Sequence, residues 1–103
     1  MENIPEIELK LEIDYDPRQI YRDTSNNYIR VLHSLKAYQN GKLYENSAHK
    51  NKVYLKVLYF NNELKEEQIG IDDFEARLIA GEVEEYSPND TEKAKLALRG
   101  FFR

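Results

Sequence analysis

The chain has 103 residues, a formal net charge of −4, 41% hydrophobic and 33% charged residues, and no cysteine. That length fits one domain with one modest core, the composition excludes a disordered chain, and a chain without cysteine has neither disulfides nor a thiol nucleophile. No apolar run is long enough for a bilayer-spanning helix, and the start MENIPEIELK lacks the basic and apolar regions of a signal peptide. The reading is an intracellular, cytoplasmic protein without membrane attachment.

The first element is a strand. Ile7, Leu9, Leu11, Ile13 and Tyr15 alternate with Glu8, Lys10, Glu12 and Asp14, so one face is apolar and the other charged. Pro17 stops it, because proline cannot donate a ladder hydrogen bond. Next, Tyr28, Val31, Leu32, Leu35 and Tyr38 recur at three- and four-residue intervals, which predicts a helix over about 25–40. Thr24 or Ser25 can cap it, Asn40 and Gly41 supply a left-handed exit, and Arg18 to Arg22 can add a turn before it. Residues 42–51 show no period and read as a loop.

KVYLKVLYF then places Val53, Leu55, Val57 and Tyr59 on one side of a strand and Tyr54, Lys56, Leu58 and Phe60 on the other, the pattern of a central strand. Asn61-Asn62 predicts a two-residue hairpin turn, which sets Lys56 opposite Glu67. In that register Leu64 and Ile69 fall on opposite faces, which calls for a bulge or a longer turn between them. Asp72 or Asp73 opens a short helix with Phe74, Leu78 and Ile79, ended by Gly81. Ser87-Pro88-Asn89-Asp90 opens a last helix, and Phe101 and Phe102 dock onto the core. The order is strand, helix, strand, strand, helix, helix. The economical architecture is one α+β domain, a small three-stranded sheet with helices packed on one face.

Charge is segregated along the chain. Residues 1–16 are net −5, 17–56 net +6, 57–92 net −9 and 93–103 net +4. Acidic and basic elements can neutralise each other locally, or Arg18, Arg22, Arg30, Lys36, Lys42, Lys50, Lys52 and Lys56 can form a basic side. Tyrosines 21, 28, 38, 44 and 54 interleave with these cations, as in surfaces that neutralise phosphates and stack bases. No recognised nucleic-acid motif accompanies them.

Catalytic chemistry has little purchase. His33 and His49 lack ligand spacing, the serines lack a nucleophile-elbow setting, and the glycines are isolated. Glu8-Leu9-Lys10 and Glu63-Leu64-Lys65 match a fragment of metal-dependent nucleases, but three-residue matches arise by chance in a chain rich in Glu and Lys. The carboxylates of Glu8, Glu12 and Asp14 read as a solvated strand face that discourages edge-to-edge pairing. The sequence therefore predicts no catalytic residue, no metal site and no cofactor.

If helices cover one side only, Tyr54, Lys56, Leu58 and Phe60 form an open, partly apolar face. The function these features predict is a non-enzymatic interaction protein that binds a protein partner or its own second copy through that face or through segregated charge. The alternative is a nucleic-acid-binding protein using Arg18, Arg22, Arg30, Lys36, Lys50 and Lys52. A small, cysteine-free, Asn/Lys/Tyr-rich composition also suits accessory proteins of viruses or mobile elements.

Overall fold

Tyr28 to Gln39 form the longest element of the fold, and it is a strand. A computed structural model describes residues 7–39, 42–43 and 53–102. The elements run β1 (Ile7–Glu12), β2 (Ile20–Asp23), β3 (Tyr28–Gln39), β4 (Lys42–Leu43), β5 (Val53–Asn61), β6 (Glu63–Gly70), α1 (Ile71–Ala80), β7 (Val83–Tyr86) and α2 (Asp90–Leu98). The strands make one antiparallel sheet in the order β6-β5-β3-β2-β7, with β1 and the two-residue stub β4 also paired to β3. No described helix is long and apolar enough to cross a membrane.

The three-stranded sheet with helices on one face is therefore corrected: the fold is α+β, but its sheet is larger and carries a helix on each face. The predicted helix over 25–40 is the centre of that sheet. Its apparent helical period comes from a bulge. Val31 faces Val57 and His33 faces Lys56, so Leu32 is inserted without a partner and the alternation slips by one. Before the bulge Ile29 and Val31 point to one face; after it Ser34 does, and serine hides the alternation. The residues that could have capped a helix instead close the β2–β3 hairpin. Asp23 accepts hydrogen bonds from the Ser25 and Asn27 amides at 3.0 and 2.8 Å, and Asn26 takes φ 64°. The Arg18–Arg22 turn is likewise replaced by the start of β2.

The β5–β6 register removes the parity problem. Asn62, at φ 69°, alone separates Asn61 from its partner Glu63, so the pairing is shifted by one residue from an Asn61-Asn62 turn: Lys56 faces Gln68 and Glu67 faces Val57. Leu64 then pairs with Phe60 on one face while Ile69 pairs with Leu55 on the other, without a bulge in between. Both faces are apolar because both are covered. On one face α1 lays the fully buried Phe74 against Tyr21, Ile29, Val31, Leu55, Val57 and Val83. On the other, Leu96 of α2 and Phe101 cover Ile20, Leu58 and Phe60.

Both helices end and begin on local chemistry. Gly81 at φ 76° closes α1, its amide bonded to the Leu78 carbonyl and that of Glu82 to Arg77. Gly70, rather than Asp72 or Asp73, occupies the N-cap, and Ile79 is exposed. Asn89, rather than Ser87, caps α2 in a capping box with Glu92. Past Gly100, the Phe101 amide returns to the Leu96 carbonyl at 3.0 Å, which swings the Phe101 ring back into the core.

Candidate interaction surface

Beyond the two helices the sheet continues as an arm of β1, the far half of β3 and the start of β5. The long axis of 61 Å, against 28 and 20 Å across, records this projection. Register fixes what each face of the arm presents, since residues directly opposite on antiparallel strands point the same way. On the α2 side, Leu11 faces Leu35, Leu35 faces Tyr54, and Leu9 faces Ala37. No described element covers this stretch. Leu9 is 64% exposed, Leu11 67% and Ile13 68%, with Tyr54 at 36% and Leu35 half-buried. Cross-strand neighbours lie about 5 Å apart, so Leu9, Leu11, Leu35 and Tyr54 form one patch, with the exposed Ile13 following just past the end of β1. The largest contiguous apolar patch on a monomer is often a functional one.

The opposite side of the arm is polar and tightly bonded. The Lys36 ammonium sits 2.9 Å from Glu12 and 2.8 Å from Asp14, and the Tyr38 hydroxyl donates to Glu12 at 2.8 Å. Lys36 holds both carboxyls below their ordinary ranges, helped at Glu12 by the Tyr38 hydroxyl, and the two carboxylates raise the Lys36 pKa in return. Lys10 lies 5.0 Å over the Tyr38 ring. Ser34 is fully buried beside this group; its hydroxyl meets no partner at hydrogen-bonding geometry, yet lies close enough to help keep Asp14 ionised. The carboxylates predicted to be a solvated face are thus partly engaged: Glu12 and Asp14 bind Lys36, while Glu8 reaches Lys10 only at 4.0 Å and stays open to solvent.

The base of the arm is anchored by α2. Glu92 accepts the hydroxyls of Tyr28 and of Tyr86, the latter at 2.8 Å, while its own side chain also completes the cap of α2. The Arg22 guanidinium lies over Tyr28 at 4.5 Å and Tyr86 at 5.2 Å, and 3.9 Å from Glu92. Burial, then the bond to Glu92, pushes the Tyr28 phenol up to about 12. The Glu92 carboxyl is lowered by the two phenols and the Asn89 amide.

These placements sort the predicted residues. Tyr54, Lys56, Leu58 and Phe60 do share the α2 side. The open-face expectation is corrected along the strand, however: Leu58 and Phe60 are 1% and 2% exposed beneath Leu96 and Phe101, and only Tyr54 and Lys56 reach past them. Among the predicted cations, Arg18 binds its neighbour Asp16 at 3.2 Å and Arg22 lies in the tyrosine clamp. Arg30 is buried, donating to the carbonyls of Pro17, at 2.7 Å, and Phe101. Burial lowers the Arg30 pKa. Lys36 lies on the other side of the sheet from Arg22 and Arg30, and Lys50 and Lys52 lie outside the described residues, as do Tyr44 and His49. The structure does not bring the described cations into one patch.

Leu9, Leu11 and Ile13 carry the surface that the sequence reading placed on β5. Their alternation was visible, but their exposure depended on how far β3 outruns the helices. Tyr15, expected on the same face, turns the other way and packs edge-on against Phe74 at 5.5 Å. A shallow cleft of about 440 Å³ between Arg18, Tyr86, Lys93 and Phe102 is open to solvent. Among the described residues, no group of three His, Asp or Glu side chains is placed to share a metal ion. Comparison with protein-family models, with curated proteins and with solved structures gives no match.

Proposed function

We propose that this chain is an intracellular, non-enzymatic binding protein whose partner is protein, held by the apolar side of the β1–β3–β5 arm. The observation that carries this reading is the exposure of Leu9, Leu11 and Ile13, each about two-thirds in solvent, beside Leu35 and Tyr54. Folding gains little from apolar side chains left in water, so their clustering on one face needs another occupant. The ion-paired reverse side ties β1 and the residues just after it to β3. A nucleic-acid role for residues 17–56 draws less support, since Arg18, Arg22, Arg30 and Lys36 already have local partners.

A photo-crosslinking side chain at position 11 tests the reading in the cells that make the protein. Adducts to a discrete protein, its own copy included, are expected from position 11. Position 79, whose isoleucine is 89% exposed on α1, serves as control and should give none. Equal labelling from both positions, or none from position 11, rejects the arm as a docking face.

A further inference from the structure

The outer edge of β1 adds a second observation to the apolar face. Among the described strands β1 pairs only with β3, so its other edge presents unpaired backbone amides and carbonyls. Among the described residues nothing bonds that edge; an edge of this kind accepts another strand, and the side chains decide which one. We propose that the occupant is a second copy of this chain, docked by antiparallel pairing of β1 with β1 across a twofold axis at Leu9. This inference rests on the binding reading above and names its partner.

Charge complementarity selects the register. To keep both apolar stripes on one side, the copies must pair odd residues with odd and even with even; a one-residue slip turns one stripe to the wrong face. Every register centred on a residue of β1 satisfies that condition; centring on Glu8 or Glu12 sets that glutamate against its own copy, and centring on Ile7 leaves β1 at once. Centring on Lys10 sets Lys10 against Lys10 and Glu8 against Glu12, which repels. Centring on Leu11 sets Lys10 against Glu12, whose carboxylate already binds Lys36 and Tyr38, sets Glu8 against Asp14, and runs past the end of β1. Centring on Leu9 keeps Ile7 to Leu11 inside β1 and sets Glu8 against Lys10 twice by symmetry. Glu8 and Lys10 are 70% and 48% exposed and only loosely paired within one copy, so both are open to the exchange. The acids that blunt this edge toward other strands thus match it to itself. An isologous contact follows, with Leu9 meeting Leu9 at the axis and the two apolar stripes merging into one. The paired stretch is short, well under the roughly 1,200 Å² of stable complexes, so the dimer is weak and depends on concentration.

The absence of cysteine gives a clean test. Single substitutions Leu9→Cys, Leu11→Cys and Ile13→Cys are oxidised at high protein concentration. Opposed Cβ atoms lie about 5 Å apart at the axis, while position 11 is displaced from its own copy by roughly four strand residues, about 13 Å. Leu9→Cys is expected to form a disulfide dimer and the other two are not. Sedimentation then reads the charges. Glu8→Lys alone and Lys10→Glu alone each weaken self-association about tenfold, because two facing pairs turn from attraction to repulsion. An equimolar mixture of these two variants recovers association as a heterodimer. Circular dichroism checks that these exposed substitutions leave the fold intact. A wild-type chain that stays monomeric, equal cross-linking at all three positions, or a mixture that fails to recover overturns the proposal. A foreign protein captured from position 11 together with a monomeric chain removes the second copy and leaves the binding reading standing.

Discussion

Leu11 of β1 stands directly opposite Leu35 of β3 on the uncovered side of the arm, and Leu11 keeps 67% of its surface in solvent. The pair belongs to the sheet but not to either core. Leu11→Thr, which keeps strand propensity, should change unfolding stability by no more than about 0.5 kcal/mol. Leu58→Ala, on the same side but beneath α2, should cost about 2–5 kcal/mol. Urea denaturation of the two variants checks the contrast; equal losses would mean that the arm face is packed.

Phe74 and Phe101 fill opposite sides of the sheet, each fully buried. Each truncation to alanine is expected to cost about 3–5 kcal/mol. Were helices packed on one side alone, Phe101→Ala would fall within about 0.5 kcal/mol of wild type. Thermal and chemical melts of both variants decide this.

The Lys36 group gives the arm a pH dependence of definite sign. Glu12 and Asp14 have pKa values lowered from 4.5 and 3.8, so their stabilisation is present above those values and lost as pH falls through the lower folded ones. Lys36 is raised from 10.5, so its contribution is present below that value and lost as pH rises through the folded one. Protection of the β1 amides, relative to their intrinsic exchange rate at each pH, should therefore fall in acid below about pH 4, before that of the two cores. Lys36→Met should loosen β1 already at neutral pH and flatten the acid response. Acid exchange in β1 that matches the rest of the chain would count against the ion-paired reverse face.

Two tyrosines should ionise late. Burial, then the Glu75 charge, raises Tyr15 to about 12, and burial with the Glu92 bond does the same for Tyr28. Ultraviolet titration of the eight tyrosines should show a component near pH 12 that shrinks in Tyr28→Phe. Because the folded value exceeds the ordinary 10, the clamp stabilises α2 fully below pH 10 and fails as pH approaches 12. A single transition near 10 would contradict the buried clamp.

Much of the local structure was legible in the residues. Gly81 marked the end of α1, Ser87 to Asp90 marked the region where α2 begins, and the alternation from Ile7 drew β1. What misled was the centre of the sheet. One inserted residue, Leu32, and one buried serine, Ser34, turned the period of two in β3 into an apparent helical stripe. Once β3 is a strand, the parity conflict between Leu64 and Ile69 becomes the sign of two covered faces. β7 left little trace because Val83 is its single buried residue. The candidate surface was half visible: the stripe of Leu9 and Leu11 could be read, but which end of the sheet stays open depends on where α2 and Phe101 land. That is a tertiary fact without a local signal.

Hydrogen exchange of the β1 amides, Glu8 to Glu12, at low and at high micromolar protein concentration reads the docking of one copy on another at the strand itself. Protection of these amides is expected to rise with concentration, α1 amides to show no such change, and Glu8→Lys to move the rise to about tenfold higher concentration. Exchange in β1 that is the same at both concentrations would contradict the docking of one copy on another.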